Sequence, residues 1–208
     1  MTFIELQQQI AGMLSRDVDH FTYNTFDNLK RSINNALLRA QRLVDFNYAL
    51  ARGYLPLTDG TANFITAMVD APSGSSVAVK KLVSLATDDS YNQSVKMLRE
   101  SDKERLATAG GNFAYVVGQN LHLQHTETQS GLYTVYYQKL ADLAVDADTN
   151  FLTEYCPDWI VFQAMFELQH YLKEDERIQL SAGLLRDKWD SALAWNASME
   201  DEFDTTLD

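Results

Sequence analysis

Apolar residues recur at helical spacing from the start of the chain: Phe3, Leu6, Ile10, Met13 and Leu14. That spacing predicts a short amphipathic helix. Thr2-Phe-Ile-Glu5 opens it as a capping box, in which the threonine oxygen takes a helical N–H and the glutamate reaches back to the cap. A second stripe, Leu29, Ile33, Ala36, Leu37, Ala40, Leu43 and Val44, predicts a helix over Asp27 to Asn47. Its polar side carries Lys30, Arg31, Arg39 and Arg42. Such a row is either a solvated face or the complement of an acidic surface on the same or a neighbouring subunit.

Between residues 50 and 140 the texture changes. Turn clusters, Leu55-Pro-Leu-Thr-Asp-Gly60 and Ala71-Pro-Ser-Gly-Ser-Ser76, alternate with short β-rich runs. The expected strands are Asn63–Val69, Val77–Leu85, Val95–Arg99, Phe113–Val117, Leu121–Gln124 and Leu132–Lys139. Gly118-Gln-Asn120 is placed to close a tight hairpin between the fourth and fifth of these. Ser101-Asp-Lys-Glu104 is another capping box, opening a short helix to about Leu106.

The last third returns to helical spacing. Pro157 suits a first helical position, where its missing N–H costs nothing. From there to Leu172 apolar residues cover most of the circumference, and only Gln163, Glu167 and His170 make a polar stripe. A helix of that kind must be buried on more than one side, by its own bundle or by a neighbouring subunit. Lys173-Glu-Asp-Glu176 turns the chain into a last helix, ending near Asn196, with Ile178, Ala182, Leu185, Trp189 and Ala192 on one face. The link is short enough to make the two helices an antiparallel hairpin. Beyond Asn196 the chain is acidic, with Met199, Phe203 and Leu207 as isolated apolar points. Alone, this tail is expected to be disordered, and its deletion from Asn196 to leave the fold intact.

The expected fold class is therefore α+β. An N-terminal helix pair (1–50) and a C-terminal helical hairpin (146–196) form a helical bundle. A small antiparallel β-sheet domain (51–145) is inserted in it, and an acidic tail (197–208) follows.

Composition narrows the function. The 208 residues are 46% hydrophobic, an ordinary globular share. No apolar run approaches the roughly 20 residues of a membrane-spanning helix, and Met1-Thr-Phe-Ile-Glu5 lacks the basic stretch of a signal peptide. The single cysteine, Cys156, allows neither an internal disulfide nor a cysteine-built zinc site. The net charge is −12, and its spread is uneven. Residues 1–50 balance to 0, whereas residues 146–208 hold 4 basic and 15 acidic groups. An acidic surface repels phosphate, so a nucleic-acid grip is disfavoured, and a surface that DNA slides past is compatible.

Catalytic and metal motifs fail on inspection. Asp146-Ala-Asp148-Thr-Asn150 begins like a calcium loop, but Phe151 stands where glycine belongs and Pro157 where glutamate belongs. A helix-entry loop capped by aspartate and asparagine is the better reading. His122 and His125, three apart on a strand, point to opposite faces. No H-E-x-x-H, P-loop, G-x-G-x-x-G or G-x-S-x-G occurs. Cys156 reads as a buried, inert thiol, and no cofactor is expected.

The order of parts is more telling than any one motif. A helix pair is followed by the hairpin Tyr115-Val-Val-Gly-Gln-Asn-Leu-His-Leu123 and the strand Leu132-Tyr-Thr-Val-Tyr-Tyr-Gln-Lys-Leu140. Then come Asp148-Thr-Asn-Phe-Leu-Thr-Glu-Tyr-Cys-Pro-Asp-Trp159 and a helical hairpin cornered by Tyr171-Leu-Lys-Glu-Asp-Glu176. In this order the chain resembles the head-to-tail adaptor (connector) proteins of tailed bacteriophages, most strongly from Gly118 to Trp189. It departs from their pattern around Gly53–Gly60 and at Thr126–Ser130.

The resemblance implies a non-enzymatic virion protein, made in the host cytoplasm and placed in the neck between capsid and tail. It implies a homo-oligomeric ring, usually twelvefold, beneath the portal protein. Such a ring extends the DNA channel, which DNA passes without specific binding, and offers a platform to tail or nozzle proteins; no membrane is involved. On this reading Trp159, Phe162, Phe166 and Tyr171 belong to the subunit interface, and Met199, Phe203 and Leu207 anchor the tail on the portal. The alternatives are another neck or tail-completion protein, such as a stopper or tail-tube subunit, and, more remotely, a soluble α+β enzyme or regulator.

Overall fold

A computed structural model describes residues 1–23, 26–70, 73–87, 94–99, 113–124, 130–168 and 176–204, with backbone alone at 22, 23, 26, 176–182 and 200–204. The chain divides into two compact units. One joins Met1–Tyr48 to Leu140–Asp208, and the other is Ala49–Lys139.

The first unit is built on helices α1 (Phe3–Met13), α2 (Asn28–Leu43), α3 (Phe151–Tyr155), α4 (Pro157–Glu167) and α5 (Glu176–Asp204). A two-stranded pairing of β1 (Thr22–Tyr23) with β2 (Phe26–Asp27) precedes α2. The capping box at Thr2 forms as expected, with the Thr2 N–H donating to Glu5 at 2.8 Å. Asp27 caps α2 by accepting the Lys30 N–H at 3.0 Å. Helix α2 stops at Leu43 rather than Asn47, because Val44 turns to extended backbone. Asp148 accepts the N–H groups of Ala144 and Val145 at 2.6 and 2.8 Å, which holds its carboxyl below the ordinary range. The same loop gives the carbonyls of Asp146 and Asp148 to the N–H groups of Ile4 and Phe3, two open donors of α1.

Asn150 and Thr153 exchange backbone N–H and side-chain oxygens at 2.9 and 3.0 Å, the helix-entry cap read from the sequence. That cap starts a separate short helix, α3, which the periodicity did not reveal. The backbone breaks at Cys156 (φ −129°, ψ 40°), and Pro157 then opens α4 as its first residue. Helix α5 continues through Asp204, past the end expected near Asn196. The corner Tyr171–Asp175 and the short helix expected after Ser101 lie outside the described residues.

The second unit corrects the expected fold class. The sheet is not a small antiparallel insertion into a mostly helical bundle; with eight strands it is the main element, and it is mixed. Its order is β4 (Thr61–Asn63), β9 (Asn120–Gln124), β8 (Phe113–Val117), β7 (Ser94–Leu98), β6 (Val79–Thr87), β10 (Gly131–Gln138), β3 (Leu50–Pro56) and β5 (Val69–Asp70). All neighbours run antiparallel except β7 and β8, which are parallel.

The two edges of this sheet, β4 and β5, are consecutive in the chain. The six Cα steps from Asn63 to Val69 reach at most about 22 Å. A flat eight-stranded sheet would hold its edges about 33 Å apart. The sheet must therefore curl, and its concave side closes on Leu55, Met68, Leu82, Leu85, Leu121, Leu132 and Tyr136. The expected strand Asn63–Val69 is in fact the turn that brings the edges round, held by the Ala67 N–H on the Asn63 carbonyl at 2.9 Å. The short edge strands β4 and β5 are unexpected, as is the longer β3, hidden by Gly53 and Pro56. Gly53 is required there: a Cβ would sit 2.6 Å from the Val69 carbonyl oxygen and 2.8 Å from the Tyr136 ring. The hairpin of β8 and β9 forms as expected, with Gly118 at φ 62° in its turn.

Candidate functional site

Helix α4 is the pivot of the helical unit. It packs against α1, α2, α3 and α5, which accounts for an apolar surface running nearly all round it. Trp159, Ile160, Val161, Gln163, Ala164, Met165 and Leu168 are buried within the single chain. Trp159 is only 3% exposed and leans on Trp189, ring centres 4.7 Å apart. Phe162 and Phe166 are partly exposed. Gln163 is satisfied by Glu167 at 2.8 Å, and Glu167 also meets Arg39 at 3.5 Å.

Of the remaining expected interface and tail residues, Tyr171 and Leu207 lie outside the described residues. Met199 is partly buried on α5, and Phe203 lies on the backbone of its last turn. The structure thus brings Trp159 into a covered core position and leaves Phe162 and Phe166 nearer the surface.

A cluster that the sequence did not reveal surrounds the α3–α4 corner. Tyr155 stacks on Trp195 at 4.8 Å, and Tyr48 lies 5.3 Å from both Phe151 and Tyr155. Phe46 joins Phe151 to Trp189 by edge contacts. The surface end of the cluster is open: Tyr48 is 45% and Tyr155 47% exposed. A hydrogen bond with Tyr48, and the charge that would develop beside it, push the pKa of the Tyr155 phenol up, so the phenol is harder to ionise. The only advance signal was Phe151 and Tyr155 four apart, which share a face if helical. Their meeting with Trp195 depends on the backbone break at Cys156.

Beside this cluster an open groove of about 370 Å³ runs between the α3–α4 corner and α5. Its sides carry Glu154, Asp158 and Lys188, with Tyr155 and Trp159 among its lining. Lys188 reaches Asp158 at 2.7 Å. Cys156 also borders it, buried, its thiol pushed up to about 11 by burial. Such a thiol stays protonated and is a poor nucleophile. The carboxyls held low, Glu5 and Asp148, owe it to hydrogen bonds with Thr2 and with backbone N–H groups, and neither lines the groove.

His122 stacks flat on Tyr115 at 5.1 Å on the sheet, while His125 and His170 lie outside the described residues. Among the described residues no cluster of histidine, cysteine and carboxylate has metal-binding geometry, and no helix is long and apolar enough to cross a membrane. The exposed part of the site is made of the aromatic rings of Tyr48 and Tyr155 and the charged groups of Glu154, Asp158 and Lys188.

No curated protein matches this sequence. The family model described as SU10 adaptor protein matches residues 1–206, running through both the helical and the sheet unit. By that match the chain belongs to the SU10 adaptor protein family and is a bacteriophage structural protein, in keeping with its resemblance to head-to-tail adaptors.

Proposed function

We propose that this adaptor assembles as a twelvefold ring beneath the portal, in the neck of the virion, where it extends the DNA channel and gives the tail its attachment platform. The observation that carries this reading is the family match over residues 1–206, which spans both units rather than one shared module. The charge supports it. A chain of net charge −12 offers packaged DNA little to bind, so DNA slides past. Phe162 and Phe166, partly exposed on α4, are the members of the expected subunit interface that are open to a neighbour among the described residues. The C-terminal stretch of the sequence, with Met199, Phe203 and Leu207, supplies the portal anchor.

The test is to mix the purified protein with purified portal rings and image the product by electron microscopy. Added annular density of twelvefold symmetry on the portal is the expected result. Portal rings without added density, with binding to purified tail proteins instead, would replace this reading with that of another neck or tail-completion protein.

A further inference from the structure

Two surfaces of the helical unit are chemically complementary, and neither is fully satisfied among the described residues. The first is the outer face of α2. Between Asn28 and Leu43 it holds four cations and no acid. Lys30 reaches Asp27 and Asp146, and Arg39 reaches Glu167. Arg31 and Arg42 have no ion-pair partner among the described residues. Arg31, Asn35, Arg39 and Arg42 are all exposed, and spacings of 4, 4 and 3 place them along one stripe. A depression of about 350 Å³ lies between Asn35, Leu38, Arg39, Arg42 and Glu167, and Leu43, the residue after Arg42, is 58% exposed.

The second surface is the groove between the α3–α4 corner and α5. Glu154 and Asp158 border it, and exposed Asp187 stands one residue before the lining residue Lys188. Lys188, the cation among the groove's lining residues, is already engaged with Asp158. Tyr155, half exposed, adds aromatic surface to the groove. Helices α2 and α5 both pack on α4, so one chain presents both surfaces on different elements of the same unit.

We propose that the arginine stripe of α2 in one copy seats on the acidic aromatic groove of the next copy. Guanidinium groups suit this groove because they pair with carboxylates and also stack on aromatic faces. Copies of net charge −12 repel one another at long range. A contact between them needs a local reversal of sign, and the acid-free face of α2 supplies it. Two unlike surfaces meeting head to tail repeat indefinitely and close when the rotation allows. This inference rests on the ring reading above and names the contact that would build the ring.

The test uses the full chain on purified portal rings, with two charge-reversed variants at exposed positions. One carries Arg31→Glu and Arg42→Glu, the other Glu154→Lys and Asp187→Lys. Each variant alone is expected to need at least tenfold more protein for half-maximal ring formation. Mixed in equal amounts, they should assemble again in strict alternation, since each reversed stripe then meets a reversed groove. Circular dichroism checks that each is folded. If a reversed variant is not folded, Arg31→Gln with Arg42→Gln decides by the same readout, with weaker assembly expected. Variants that assemble like the parent, or a mixture no better than its components, overturn the proposed contact while leaving the ring. A parent chain that adds no ring to the portal overturns both.

Discussion

Asn47 and Asn196 are joined by two hydrogen bonds across 149 residues of sequence. The backbone N–H of Asn47 donates to Asn196 Oδ1 at 2.7 Å, and the Asn47 side-chain amide donates to the Asn196 carbonyl at 3.3 Å. Both residues are buried; Asn47 follows α2 by four residues and Asn196 lies within α5. The pair ties the segment after α2 to the C-terminal part of α5.

This pairing revises the expectation that everything from Asn196 onward is dispensable. Asn196→Ala leaves a buried N–H without its acceptor, at a cost of about 1–3 kcal/mol. Urea unfolding should show the midpoint falling with an unchanged slope. A chain ending at Met199 should unfold close to the parent, whereas one ending at Trp195 should be clearly weaker. Equal midpoints for the two truncations would show that the pair contributes nothing.

Cys156 should resist modification. Its thiol, raised from an ordinary value near 9 to about 11, is protonated at neutral pH and buried. A thiol reagent at pH 8 should label the native protein far more slowly than the urea-unfolded chain. The sign of the pH effect follows from the same shift. Below pH 9 the thiol is protonated in both states. As pH rises from about 9 to 11 the unfolded chain loses its proton first, so stability falls across that window. Cys156→Ala should lessen that fall, seen as a smaller alkaline drop in melting temperature.

Gly53 and Gly131 should differ in their tolerance of alanine. At Gly53 the new methyl meets the Val69 carbonyl, part of the β3–β5 backbone, and the buried Tyr136 ring. Neither yields easily, and a loss of about 1–3 kcal/mol is expected. At Gly131 the atoms in the way are the far end of Tyr54, a partly exposed side chain that can swing outward. Thermal melts of the two variants check the order, and a Gly131→Ala protein weaker than Gly53→Ala would contradict it.

The α4 aromatics should separate folding from assembly. Trp159→Ala removes a fully packed ring from the core and should cost about 3–5 kcal/mol. Phe162→Ala and Phe166→Ala, at partly exposed positions, should cost less than Trp159→Ala in unfolding and weaken ring formation on the portal. Ring formation unchanged in both phenylalanine variants would remove that face from the subunit contact.

Local chemistry made much of the helical unit legible. Thr2, Asp27, Asn150 and Pro157 mark helix starts because caps act on N–H groups one to three residues away. The stripe of α2 and the Gly118 hairpin are likewise short-range signals. The order of these parts was enough to raise the adaptor family. The sheet escapes such signals because its defining pairings are long-range. Strand β3 pairs with β10 some eighty residues later, and its Gly53 and Pro56 look like turn residues until Tyr136 is seen lying over the glycine. No periodicity tells that Asn63 and Val69 end opposite edges of one sheet.

From the sequence alone came the capped helices, the uneven charge and the family. The tertiary structure alone decided that the sheet curls on a core of its own. It also decided that Trp159 is covered by its own chain, and that Tyr48, Tyr155 and Trp195 meet beside an acidic groove. The division has a physical cause. Caps and amphipathic stripes are energies between near neighbours in the chain, while sheet closure and aromatic clustering are contacts whose partners are chosen only when distant segments pack.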